Sequence, residues 1–147
     1  MFLVLLFGIV ILDQVTKYLA YVYLQPQNTI PVINNFFYLT YLENRNAVSD
    51  SLRDGPWFII SIAGIIVISA LFYNLTRHGI NEAAKIGTAL ISAGIIGNFI
   101  DSLRNGYIIH FLDFSIWPIL NIADISAALG CMILISLLFF KGKDRAA

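Results

Sequence analysis

The sequence predicts a membrane protein, mainly α, of four transmembrane helices with a small extracytoplasmic β platform. Three observations predict it. The 147 residues are 59% hydrophobic and only 12% charged, with a mean hydropathy of +0.79, whereas about a quarter of a soluble domain is charged. The apolar residues come in blocks near the roughly 20 residues that a helix needs to cross a bilayer. Two connections between blocks are crowded with aromatic and β-branched residues, as strands are.

The first block, about 1–24, lacks the basic start and small-residue cleavage site of a signal peptide and is long, so it reads as a retained span. PVINNFFYLTYLEN, residues 31–44, is bounded by Pro and Asn and rich in aromatic and β-branched residues; an outer β segment is expected over about 30–48. The second and third spans are expected over about 57–73 and 83–101. Arg104-Asn105-Gly106 then reads as a turn, and NGYIIHFLDF as a shorter extended segment. The fourth span is expected over about 121–140. No repeat or low-complexity tract interrupts the chain, so 1–147 reads as a single integral membrane domain.

Four spans put both termini on one side, and the distribution of basic residues chooses which. The 73–84 connection and its flank carry Arg77 and Lys85, and the tail carries Lys141, Lys143 and Arg145. The opposite connections hold Arg45, Arg53 and Arg104, mixed with acids. Basic loops stay inside, so both termini are expected in the cytoplasm, with 25–56 and 102–120 facing outward. Tyr, Phe and Trp in those outer connections suit the interfacial belt, with membrane lipids as neighbours. The formal charge is zero, which gives no reason to expect a nucleic-acid partner. The single cysteine, Cys131, has no internal disulfide partner and is expected to be a small buried apolar residue.

Polar residues inside such a chain are the candidates for function. Asp13 and Lys17 sit four apart on one face of the first span and can pair. The expected role is a structural ion pair near a helix end, with Lys17 snorkelling outward, that orders the neighbourhood of a site. A doubled pattern is the stronger signal: Asn98-x-x-Asp101 closes the third span and Asn121-x-x-Asp124 opens the fourth. Three-residue spacing puts each pair on one helix face, and the short connection brings both to the same membrane surface. Gly87, Gly94 and Gly97, with Ala128 opposite, would let the two helices touch closely. Asp124 lies in a first turn, where the helix dipole favours an anion, and Asn121 can cap that helix. Asp101 lies at the C-terminal end of its span and needs a partner.

Carboxyls at a membrane edge beside a β platform suit hydrolysis of a membrane-embedded substrate. Two close carboxyls that share a proton act as base and acid on a water attacking an amide. A proton-coupled carrier is the rival reading of the residues, although carriers usually hold their carboxylates near the bilayer midplane.

Five motifs, in order and over nearly the whole chain, resemble the lipoprotein signal peptidase (signal peptidase II) family of bacteria. They are Asp13-Gln14-x-x-Lys17, Asn44-Arg45-Asn46-Ala47, Gly97-Asn98-x-x-Asp101, Tyr107-Ile-Ile-His110-Phe-Leu-Asp113-Phe114, and Asn121-Ile-Ala123-Asp124. The resemblance implies an aspartic endopeptidase of four helices in the bacterial inner membrane, needing no cofactor or metal and expected as a monomer. Its implied substrates are prolipoproteins, cut just before a diacylglyceryl-modified cysteine. Asp124 falls on one member of the family's catalytic dyad, with Asn44, Asn98, Asp101, Asn121 and Ala123 as supporting site residues. The other catalytic Asp falls on His110.

Other departures surround the same site. The outer motif, usually Asn-x-Gly-Ala-Ala-Phe, here reads Asn44-Arg45-Asn46-Ala47-Val48-Ser49; an Arg is replaced by Ser102 and a Phe by Leu120. A His–Asp pair cannot share one proton symmetrically between like acids. Histidine can instead serve as a general base, and Asp101 or Asp113 would be the acids nearest at hand, although Asp113 should point to the other side of an extended segment. Two readings follow: a working signal peptidase II, or an inactive relative or engineered variant that binds lipidated peptides without cutting them.

Overall fold

The computed structural model describes residues 1–45, 64, 66–70, 73, 74, 79 and 81–143. Three helices in it are long and apolar enough to cross a membrane: α1 (Phe2–Leu24), α2 (Glu82–Asn105) and α3 (Ile122–Lys143). At 1.5 Å per residue, the 23 residues of α1 reach about 35 Å, beyond a hydrocarbon core of roughly 30 Å. Pro26 follows just past its end. The Asn81 side chain caps α2 by accepting from Ala83 N at 2.8 Å, and Gly106 closes it in the left-handed conformation (φ 73°) with its N–H on Ser102 O. α2 therefore runs one turn beyond the expected end at 101, because Gly106 is the first residue there suited to that conformation.

Most of the expected second span, 57–73, lies outside the described residues, as do 46–48 of the outer segment. Residues 64, 66–70, 73 and 74 are helical. Asn74 Nδ2 donates to Ala70 O and to Thr88 Oγ1, at 2.8 and 2.9 Å, which seats this piece against α2.

The outer segment divides into a hairpin. β1 (Thr29–Ile33) and β2 (Phe37–Asn44) pair antiparallel, and β3 (Ile108–Asp113) pairs antiparallel with β2, giving the order β1-β2-β3. Asn35 at the turn has φ 61°, a conformation that Asn tolerates better than most residues. Ala20 and Leu24 of α1 pack with Ile109 and Phe111 of β3, with Leu39 and Tyr41 beside them. The sheet thus sits at the end of the bundle where α1 and α2 finish and α3 begins. α1 and α2 are parallel, so Asn44 lies at the sheet end and Asn81 at the opposite end. Leu120 is stitched to β3 through Phe111 N, Leu112 N and its own N–H to Leu112 O. That stitch delivers Asn121 directly beside the strand.

Small residues set the helix spacing, as expected for Gly87, Gly94 and Gly97. A Cβ on Gly94 would collide with Ala123 O, one on Gly97 with Asp13 Oδ2, and one on Gly130 with Gly87 O. The facing positions on α3 are Ala123, Ala127 and Gly130, not the expected Ala128, which is exposed. Steps of four and three residues from 123 stay on the α2 side, whereas 128 turns outward. Cys131 is also exposed rather than buried. In a span, the outward face meets lipid, so apolar character does not require burial in protein. Gly94→Val is expected to cost about 1–3 kcal/mol through overpacking, read as a lower thermal midpoint in detergent. Gly8→Val, where an added Cβ meets nothing, should shift it far less; equal shifts would refute this account of the helix contact.

Candidate active site

Lys17 lies at the centre of the polar cluster, and it does not snorkel. It is 2% exposed and Asp13 is 0% exposed. Its Nζ stands 2.8 Å from Asp13 Oδ2 and 2.9 Å from Asp101 Oδ2, and donates to Asn98 Oδ1 at 2.9 Å. Three acceptors from two helices use all three ammonium protons, which removes any reason to reach for water. Asp13 Oδ1 accepts from Ala123 N at 2.8 Å and so joins α1 to the start of α3. Asp101 has the partner it needed: besides Lys17, its carboxyl accepts from Ile109 N and Gln14 Nε2, both at 3.1 Å. Because α2 continues to Asn105, Asp101 lies a turn inside the helix rather than at its end.

The two Asn-x-x-Asp pairs meet beside this cluster. Asn121 and Asp124 cap α3 reciprocally, Asn121 Oδ1 accepting from Asp124 N at 2.8 Å and Asp124 Oδ2 from Asn121 N at 3.1 Å. Asn98 Nδ2 donates to Asp124 Oδ1 at 2.8 Å, while Asn98 Oδ1 accepts from Asn121 Nδ2 at 3.0 Å. Asn121, fully buried, also donates to Ile109 O at 3.0 Å. Ala123 is fully buried where Gly97 leaves room for its Cβ.

His110 completes the group from β3. Its Nε2 stands 3.2 Å from Asp124 Oδ2, while Nδ1 is buried without a hydrogen-bond partner among the described residues. Asp124 thus faces Asn98, the Asn121 N–H and an imidazole, and it remains the partly exposed member, at 24% against 10% for the His110 side chain. Neither of the other two acids stands against Asp124 alongside His110. Asp101 is committed to Lys17, and Asp113, on the other side of β3 as its spacing requires, accepts from Thr40 Oγ1 and Ser115 N. Ser102 turns its hydroxyl back to Asn98 O. Asn44 ends β2, its backbone paired with Ile108.

On the strand flank, Tyr41 donates to Glu43 Oε1 at 3.3 Å, Arg45 pairs with Glu43 Oε2 at 2.8 Å, and the Arg45 guanidinium lies 5.5 Å from the Tyr107 ring centre. The Arg45 hydrogen bond is the main influence holding the Glu43 carboxyl below its ordinary range. Burial above all, then the neighbouring Tyr107 hydroxyl, pushes the Tyr41 phenol up, and burial raises Tyr107 too. Both phenols therefore stay protonated, as donors, through the ordinary pH range.

The profile of Signal peptidase (SPase) II matches residues 5–140. The chain belongs to the signal peptidase II family. It is 41% identical to the lipoprotein signal peptidase of Caldanaerobacter subterraneus subsp. tengcongensis, over 99% of this chain and all of that relative. To the lipoprotein signal peptidase of Clostridioides difficile it is 38% identical, over 97% and 96% of the two chains. A solved bacterial membrane enzyme superposes with a TM-score of 0.82 at 30% identity, covering 93% of this chain and 91% of that one. The relatives' shared name, lipoprotein signal peptidase, is that of a protease. Within that family frame, Gln14 is the site residue to which spacing alone gave no role. It bridges Asp13, Asp101 and Gly97 O. Its only sequence signal was its place inside the Asp13-Gln14-x-x-Lys17 motif.

Proposed function

We propose that this chain receives prolipoproteins bearing a diacylglyceryl-cysteine at Asp124, and that hydrolysis there runs far below the rate two carboxyls would support. One observation carries the reading: Asp124 faces His110 Nε2 at 3.2 Å, where a shared-proton mechanism needs a second acid. The imidazole is poorly placed to replace that acid as a base on water. One nitrogen faces Asp124 and the other is shielded. Asp124 alone meets the substrate side, with Asn98, Asn121 and His110 orienting it.

The binding scaffold is retained while its chemistry is weakened, which favours capture of the lipidated signal peptide over rapid cutting. A carrier is less well supported, because Asp124 sits in the first turn of α3 beside the sheet rather than halfway along a span. Membership of the family favours the bacterial inner membrane, and the distribution of basic residues favours both termini in the cytoplasm with the sheet outside. The cluster closes within one chain, which suits a monomer.

In nanodiscs, a fluorescent signal peptide carrying diacylglyceryl-cysteine is expected to bind at least about tenfold tighter than the same peptide without lipid, a difference of roughly 1.4 kcal/mol. Equal binding of the two peptides would exclude this reading.

A further inference from the structure

A second polar recess lies on the flank of the bundle, outside the Asp124 site. It occupies about 240 Å³ between the sheet-side ends of α1 and α2, and its mouth carries Tyr18, Tyr21, Arg104 and Asn105. It shares Gln14, Lys17 and Asp101 with the buried cluster as its floor, but includes none of Asn98, His110, Asn121 or Asp124.

The hydrogen-bonding inventory of this recess is one-sided. Arg104, Asn105 and Tyr18 make no side-chain hydrogen bond or ion pair among the described residues. A guanidinium offers five N–H donors, an amide two and a phenol one. The floor carboxylate of Asp101 is already taken up by Lys17, Gln14 and Ile109 N. Beneath, Lys17 is matched against Asp13 and Asp101 and has no charge to spare. At the mouth, Arg104 is unpaired among the described residues, so the recess presents spare donors around one free guanidinium and suits a ligand rich in acceptors and negatively charged.

Its depth selects the source. Arg104 lies in the last turn of α2, and Tyr18 and Tyr21 in the last two turns of α1. These are the levels at which a spanning helix leaves the hydrocarbon and tyrosines meet headgroups. Tyr18 is 65% exposed and Leu103 is 65% exposed, so the recess opens beside the lipid-facing surface.

We infer that this recess binds the phosphodiester of an anionic phospholipid in the leaflet at the sheet end, with Arg104 as the charged contact and Tyr18 and Asn105 as further donors. Arginine matches phosphate geometry through paired N–H donors. The plainer role for Arg104 is to offset the dipole at the C-terminus of α2, and that role needs no lipid. This inference does not rest on the reading of the Asp124 cleft.

Native mass spectrometry of the purified protein in a neutral detergent tests it with three probes. They are dioctanoyl phosphatidylglycerol, dioctanoylglycerol with the same chains but no phosphate, and inorganic phosphate. Phosphatidylglycerol is expected to bind, and Arg104→Ala to weaken it about tenfold, the scale of one charge-assisted hydrogen bond. Arg104→Lys should keep part of the affinity, since charge survives but the paired donors do not. Tyr18→Phe should weaken binding a few-fold with the fold intact, and Lys85→Ala, at the opposite surface, should change nothing. Equal binding of dioctanoylglycerol would overturn the inference, as would unchanged affinity in Arg104→Ala. Full competition by inorganic phosphate at equal concentration would also overturn it, because the site would then recognise free phosphate rather than lipid.

Discussion

His110→Asp is expected to raise the rate of prolipoprotein cleavage at least tenfold. The aspartate would place a second carboxyl opposite Asp124, restoring the pair of acids that can share one proton and activate a water between them. The shorter side chain helps as well: the imidazole now fills the space beside Asp124 Oδ2, approaching to 3.2 Å, and its removal leaves room for that water. The framework is already in place, because Asn98 and the Asn121 N–H hold Asp124 from the other side. One positioned acid–base group contributes roughly 10²- to 10⁴-fold, and each tenfold is about 1.4 kcal/mol of barrier. Tenfold is a floor because Ser102, turned back to Asn98 O, supplies no cation where the family pattern has Arg. Asp124→Asn should abolish cleavage in either background. Single-turnover kinetics with a lipidated prolipoprotein measures the rates. A parent chain that cuts rapidly and slows on His110→Asp would make His110 a working base and the damaged-dyad reading wrong.

What could be read from sequence here follows from what repeats locally. Asn98-x-x-Asp101 and Asn121-x-x-Asp124 were legible because helical spacing fixes a face, and a short connection fixes a common end. Block length found α1, α2 and α3 for the same reason. The partner of each polar group was harder to read, since it lies across the bundle: Asp13 reaches Ala123 N, 110 residues away, and Lys17 reaches Asn98 and Asp101. Nothing within α1 tells a snorkelling lysine from one enclosed by acceptors on another helix. The outward turn of Cys131 and Ala128 was hidden in the same way, because lipid and protein interior select the same apolar residues. In the outer segment, Asn34-Asn35 marks where the expected β segment folds back into a hairpin, Asn35 taking the positive φ that the turn requires.

Lys17→Met should be the most destabilising single change. It removes the one ammonium that faces Asp13 and Asp101, leaving two buried carboxylates and the Asn98 carbonyl oxygen without it. Breaking a buried ion pair by deleting one partner costs roughly 3–5 kcal/mol, because the surviving charge stays out of water. For a chain of this size that corresponds to a thermal midpoint lower by about 10 °C, to be measured by fluorescence-detected size exclusion in detergent. Asp13→Asn should be milder. Its amide oxygen can still accept from Ala123 N, and Lys17 is left with Asp101 as a one-to-one pair. Its effect should fall on melting and expression more than on peptide binding per folded molecule, or on cleavage in a His110→Asp background. A Lys17→Met protein that melts within about 2 °C of the parent would contradict the structural role of the cluster. So would an Asp13→Asn protein that melts normally yet has lost binding and cleavage, since Asp13 would then belong to the reaction itself.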